Sequence, residues 1–487
     1  MTSTAGFFVE GYTMKRKTIP LFGVGLQGKS AVVTAQKRQN CYYEIQKEND
    51  RTKIAIYGTP GLELFVDFGD TPVRGKHPFI GNSNLYVVHR GTFWEVNNAG
   101  VKTSRGTINT TSGRVSLADN GTQIMLVDGT DGWIFNTSSL AFTKITDVDF
   151  PSSPQTVTFN NSRFIVNKGN TGQFYGSSSY DGLTWLGTDF ATAESSPDNL
   201  VRVESSYGDV ILFGEYTTEI WGDTGSSGFP YARISGAQFE WGLAARWSLT
   251  RFIDTFAFLG RNRIGEVGVF VLEGYKATKI SDLELDHIIN NYASVADATA
   301  FGYMLGGHPM YQINFPSAGY SWLYDASSGV WTSIKSYGLT RHRAEIHSNF
   351  INQNIVSDYT NGRLYKIKSS AYTDNGDSIE LELISKHVFE SDMMLRLDSI
   401  QIDMETGVGL ATGQGSNPLI MLQISKDGGR TFGNEIWVSF GEIGEYLSRA
   451  IYRRGGRGRD FVFKLKITDP VKRVITGANA VFSMGSS

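Results

Sequence analysis

The sequence predicts an all-β protein, a six- or seven-bladed β-propeller followed by a β-sandwich-like domain, and three observations lead there. First, 55 glycines and 13% aromatic residues are spread along all 487 positions. That composition suits many short strands joined by tight turns and disfavours long helices. Second, one pattern recurs: an apolar strand, a Gly/Asp/Asn turn and an aromatic-rich second strand. Third, the pattern stops after Tyr372, where alternating strands and a Gly-rich stretch at 407–415 take over.

The recurring units lie at 85–96, 123–135, 163–175, 209–221, 255–272, 309–331 and 350–367. Their starts are spaced by about 44 residues on average, the length of one four-stranded blade. An isolated hairpin buries one face only, and radial stacking buries the other without leaving long edges exposed. A pair of β-sandwiches is the competing arrangement. One helix interrupts the units: Ser281 is the expected N-cap, Asp282 and Glu284 fall in the first turn, and Leu283, Leu285, Ile288 and Ile289 supply its apolar positions up to Asn291. The expected division is a propeller at 1–375, with 1–29 as an extended arm, and a sandwich-like platform at 376–487.

A formal net charge of −3 gives no global electrostatic case for nucleic-acid or membrane binding. The lone cysteine, Cys41, has no intrachain partner and fits synthesis in a reducing cytoplasm. The first residues lack a charged-then-apolar signal pattern, and no apolar run reaches the ~18 residues of a membrane span, so membrane insertion is not expected.

Gly23, Gly28, Lys29 and Ser30 satisfy G-x-x-x-x-G-K-[ST] letter for letter. In a nucleotide-binding loop such residues wrap phosphates at a helix N-terminus, with a carboxylate such as Asp128 holding magnesium. Here Pro20 interrupts the preceding strand, Asp128 falls in a hairpin-turn sequence, and the helices needed to cover a parallel sheet are missing. The string is therefore read as coincidental, and P-loop nucleotide binding stays an alternative function.

Two Asp-box-like turns, around Asp427 with Thr431 and Phe432 and around Asp181 with Thr184 and Trp185, are similar to the repeats of sialidase-type propellers. They argue for hairpins more than for glycosidase chemistry, and a carbohydrate-active propeller remains the other alternative. His342 and His347 lack a zinc signature and read as core or solvent-facing residues. No catalytic, cofactor-binding or metal-ligating set is expected. The basic feature is Arg449, Arg453, Arg454, Arg457 and Arg459, interleaved with Gly455, Gly456 and Gly458. Forked guanidinium groups there suit a neighbouring subunit's acids, or DNA phosphate.

Residues 54–65 with 71–75, 113–129, and 300–325 with 328–331 resemble the packaged-DNA stabilisation or tail-nozzle proteins of short-tailed phages. Of these, the stretch from Ala300 through Gly306, Gly307, His308 and Pro309 to Asp325 is the most specific. The resemblance runs in patches from about Ser30 to the C-terminal strands, and residues 1–29 match only loosely. It implies a non-enzymatic virion tail protein, made in the host cytoplasm and assembled as a homohexameric ring below the portal and adaptor. Such a ring continues the DNA channel, helps retain packaged double-stranded DNA and carries the tail needle, spikes or fibres. It supplies no catalytic residue and no cofactor.

Overall fold

A computed structural model describes residues 14–18, 36–48, 51–193, 196–226, 228–390 and 393–484, almost all of whose regular structure is strand. They form two compact units. One takes residues 60–329 and 338–375; the other takes residues up to 59, 330–337 and 376 onward.

The propeller unit is a succession of antiparallel sheets. Four share one plan of consecutive strands: Val73–Phe79, Asn84–His89, Thr92–Val96 and Lys102–Thr107; Ser116–Asp119, Gln123–Val127, Gly132–Asn136 and Phe142–Lys144; Pro154–Asn160, Arg163–Lys168, Gln173–Ser178 and Asp181–Thr192; Leu200–Ser206, Asp209–Gly214, Thr218–Asp223 and Tyr231–Phe239. The fifth pairs Gly242–Leu243 and Thr250–Phe252 with Thr255–Arg261, then Val267–Glu273 and Lys276–Lys279. The sixth contains Thr299–Leu305, His308–Phe315 and Tyr320–Asp325. The seventh contains Ala344–Phe350, Gln353–Asp358 and Arg363–Lys368, and takes its fourth strand from the far end of the chain: Gly61–Asp67 pairs with Arg363–Lys368 in the register Leu364 to Val66 and Lys368 to Gly61.

Alternation along the second and third strands explains why these sheets stack. Ile124 and Leu126 pack with Tyr86, Phe93 and Phe135, whereas Met125 and Val127 turn the other way onto Val157, Phe164 and Trp185. A strand buried on both faces needs apolar residues throughout. The recurring units of the sequence are these middle strands, except that 309–331 runs on into Val330–Ser333, a strand of the other unit. The next cores join sheets three to four and four to five. A further core joins sheets six and seven through Phe301, Val356 and Tyr365, and the circle closes where Val66, Phe350, Ile355 and Leu364 meet Val73, Leu85 and Val87 of the first sheet. First strands neighbour one another in the same order: Val73–Phe79 lies beside Ser116–Asp119 and Ala344–Phe350, and Thr299–Leu305 lies between Thr250–Phe252 and Ala344–Phe350.

The helix, α1 at Leu283–Asn290, is capped by Asp282 rather than by the expected Ser281: the Asp282 carboxylate accepts from the Leu285 N–H at 2.8 Å. The Ser281 hydroxyl donates instead to Asp286 at 2.6 Å. A carboxylate next to the helix is the better cap here because it accepts from the orphan N–H and complements the helix dipole.

The other unit is a sandwich of two sheets. One orders Cys41–Glu48, Arg51–Gly58, Val474–Met484, Leu395–Met404 and Ala450–Gly458, with Met14–Thr18 also on Val474–Met484. The second contains Val330–Ser333, Lys37–Gln39, Leu381–Ile384, Asp460–Ile467, Leu419–Ser425 and Ile436–Ser439. Tyr43, Ile56, Ile400, Ile402, Ala478 and Ala480 of the first meet Leu383, Leu422, Phe463 and Leu465 of the second in one core. The strands at 37–58 therefore pair with C-terminal strands, which differs from the expected grouping of 1–375. Nothing local in a strand states which sheet it will join, and the partners here lie hundreds of residues away. Of the expected arm, 14–18 is a strand of this sandwich and the rest lies outside the described residues.

Closure by Gly61–Asp67 gives a direct test. Val66 is 5% exposed and Leu64 43%. Val66→Asp buries an unpaired carboxylate and is expected to cost about 3 kcal/mol or more. Leu64→Asp, on the same strand facing out, should stay within about 0.5 kcal/mol. Denaturant midpoints of the two variants check this.

Candidate functional site

The arginine segment folds as the edge strand of the first sandwich sheet, because Ala450–Gly458 pairs with Leu395–Met404 and with nothing on its other side among the described residues. Successive side chains of a strand point to opposite faces. Ala450 and Tyr452, Ile400 and Ile402, and Ala478 and Ala480 turn into the core. Arg449, Ile451 and Arg453, Ser399 and Gln401, and Asn479 and Val481 turn outward and line an open groove of about 530 Å³.

Register fixes that groove. Ser399 stands between Arg453 and Val481, and Gln401 between Ile451 and Asn479. At one end Asp403 accepts from the Gln401 amide at 2.9 Å and the Asn479 amide at 2.6 Å. The floor is thus polar, while Arg449 and Arg453 stand exposed beside it and make no ion pair among the described residues. Such a surface can take an acidic group through charge-assisted, forked hydrogen bonds.

The structure brings only those two of the five predicted arginines to the groove. The register shifts between Leu397 and Ser399, and opposite that irregularity Arg454 has φ of 60° and Gly456 a φ of 87°. A Cβ on Gly455 would come within 2.3 Å of the Leu397 side chain. The interleaved glycines therefore build a bulge, which re-aims the strand. Arg457 pairs in register with Arg396, and Arg459 sits at the corner before Asp460–Ile467. Charged side chains along an edge also block unwanted strand addition. Ser399, Gln401 and Asn479 were not singled out in the sequence; the available signal was the alternation of polar residues along their strands.

Other candidates resolve as structural features. The Asp427 carboxylate accepts from the Ser425 and Thr431 hydroxyls at 2.7 and 2.6 Å and from the Arg430 and Thr431 N–H groups. Those bonds, the hydroxyl of Ser425 first, hold its pKa well below the usual carboxylate range. Asp181 makes the matching turn, accepting from the Leu183 N–H at 3.0 Å and the Thr184 hydroxyl at 2.7 Å over buried Trp185. His342 and His347 do not face each other across a metal site: His342 bonds Gln312 at 3.2 Å and His347 bonds Asn354 at 3.0 Å. Burial drives each imidazole pKa down to about 3, so both are neutral at neutral pH. Cys41 is buried, and that burial pushes its thiol up to about 12, away from nucleophile chemistry. Gly23, Gly28, Lys29 and Ser30 lie outside the described residues.

Comparison with known proteins gives two family-model matches in chain order. One, described as bacteriophage P22 Gp10, β-propeller, spans residues 12–372; the other, described as bacteriophage P22 Gp10, β-sandwich, spans residues 380–483. Among curated proteins, the tail hub protein gp10 of Salmonella phage P22 is 25% identical over 289 residues, covering 56% of this chain and 58% of the relative. The match thus spans less than two thirds of that relative's length. Among solved structures, the Neurospora crassa Pan2 WD40 domain has 9% identity and a TM-score of 0.40, covering 63% of this chain and 96% of that one. The WD40 β-propeller domain of Doa1 has 11% identity and a TM-score of 0.39, covering 64% and 98%.

Because Arg449 and Arg453 are exposed and unpaired, Arg449→Glu with Arg453→Glu should leave the denaturant midpoint within about 0.5 kcal/mol of the parent. The same double variant should weaken whatever acidic surface the groove holds, read as a lower apparent affinity and a shallower salt dependence.

Proposed function

The chain belongs to the family of bacteriophage P22 Gp10, which joins a β-propeller to a β-sandwich, and from that premise we propose that it is the structural hub of a short phage tail. Its work there is mechanical and steric. Copies assemble as a ring, a homohexamer by the family resemblance, below the portal and adaptor; the ring continues the channel for double-stranded DNA, helps retain the packaged genome and carries needle, spike or fibre proteins. No bond need be broken for any of this. The propeller supplies a closed body and the sandwich a platform for contacts; 376–487 is proposed as the bulk of that platform.

The observation that carries the reading is the pair of family matches in order over nearly the whole chain. Support for self-assembly comes from the surface of the sandwich unit. Ile436–Ser439 is the edge strand of its sheet, and Ile436 and Trp437 on it are exposed. The following loop exposes Ile443, Tyr446 and Leu447, the last at 94%. Large apolar side chains left exposed on an edge strand and on the loop that follows it mark an interaction surface or an aggregation hazard, and assembly removes the hazard. The arginines of the groove would then add charge complementarity to a neighbouring copy or to DNA.

Light-scattering mass with negative-stain imaging tests this, on the protein alone and mixed with an adaptor-capped portal. Rings, free or docked, are the expected result, and Trp437→Glu with Leu447→Glu should shift the population toward folded monomer. A strictly monomeric protein that neither forms rings nor docks overturns the proposal.

A further inference from the structure

The first strands of the propeller sheets differ in chemistry from the middle strands. Lys76 lies on Val73–Phe79 and Arg202 on Leu200–Ser206, while Arg114 and Arg341 stand just ahead of Ser116–Asp119 and Ala344–Phe350. Trp247, between the two short edge strands of the fifth sheet, gathers two of them. The Arg114 guanidinium lies 4.8 Å from its ring centroid and that of Arg202 5.7 Å. Cations from the second and fourth sheets therefore share one indole, as the electron-rich face of tryptophan permits.

The acids of this region are already committed. Glu204 takes Arg202 through Nε at 2.9 Å and through Nη2, and Glu345 takes Nη1 of Arg341 at 2.7 Å. Arg202 Nη1 donates to the carbonyls of Arg246 and Leu249 at 3.2 and 3.1 Å, and Lys76 Nζ donates to the carbonyl of Ile355. Arg114 differs. Its Nη1 is buried and finds no hydrogen-bond acceptor among the described residues. Burial lowers its pKa to about 10, Glu345 working against that shift and Arg202 with it. A buried guanidinium nitrogen without an acceptor is costly, and the cost vanishes if an anion supplies one.

We infer that Arg114, backed by Trp247 and Arg202, anchors an anion site among the first strands of the propeller, and that its ligand is a phosphate-class oxyanion. Lys76, Arg114, Arg202, Arg246 and Arg341 set against Glu204 and Glu345 leave up to three positive charges, which a doubly charged phosphate matches better than a single carboxylate does. A guanidinium edge also fits two phosphate oxygens at once. The phosphate comes either free from solution or from a nucleic-acid backbone.

Calorimetric titration of the full chain with sodium phosphate tests this, with chloride holding ionic strength constant. One phosphate per chain is expected at millimolar concentration or below. Arg114→Met should weaken it about tenfold or more, while the melting temperature in chloride stays level or rises because an unsatisfied charge has gone. Arg114→Lys keeps the charge but loses the fork, and should fall between the two; it serves as the readout if the methionine variant does not fold. Displacement of phosphate by a short single-stranded oligonucleotide assigns the site to backbone phosphate, and no displacement assigns it to free phosphate. No phosphate binding by the parent, or equal binding by parent and both variants, overturns the inference.

Discussion

The propeller depends on one strand pairing, that of Gly61–Asp67 with Arg363–Lys368. Sheets two to six each lie between neighbours that the chain lays down in order, but the seventh would present an unpaired edge and an uncovered core without a strand from the other end. Residues 61–67 satisfy both needs: they complete the ladder, and Val66 enters the core that the seventh sheet shares with the first. The exposed side of the same pairing carries Lys368 with Glu63 at 2.6 Å and Arg363 with Asp67 at 2.9 Å. Exposed pairs of this kind contribute about 0–1 kcal/mol each, so burial and backbone pairing hold the ring shut. The Lys368–Glu63 contact spans 305 positions. Closing so long a loop is an entropic cost met late, which predicts slow folding with closure near the end.

The sandwich is finished in the same way, since Lys37–Gln39 and Cys41–Glu48 pair into sheets otherwise made mostly by the C-terminal residues. Buried polar links reinforce that join. The Arg473 guanidinium donates to the carbonyls of Ile379, at 2.5 Å, and Thr59, at 3.1 Å, and the Asn40 amide donates to those of Lys335 and Glu380. Both units thus use the N-terminal part of the chain to cover edges created elsewhere. An all-β protein gains from this, because unpaired edges invite strand addition from other chains.

What the sequence disclosed follows from burial. The middle strands of each sheet are covered on both faces, so they stand out as apolar runs, and the units at 85–96 through 350–367 located them. First strands such as Val73–Phe79 and Leu200–Ser206 mix Arg, Lys, Ser and Glu with apolar residues, and outer strands such as Lys102–Thr107 are polar; neither carries a clear period. The destination of 37–58 was illegible because pairing across hundreds of residues leaves no local mark. At the groove, the arginine-glycine segment was visible, but the split of Arg449 and Arg453 from Arg454, Arg457 and Arg459 depends on a bulge that glycine content alone does not locate. Trp247 with Arg114 and Arg202 was invisible for a plainer reason: the three come from three different sheets, and no local pattern announces a contact between sheets.

Native-state hydrogen exchange along the chain tests ring closure most directly. If Gly61–Asp67 locks the propeller, its ladder amides should exchange as slowly as those of Gln353–Asp358 in the seventh sheet, opening only in the global transition. Ladder amides of 61–67 that exchange orders of magnitude faster, while the middle strands of every sheet stay protected, would contradict the account, because the propeller would then persist with its closing strand undone.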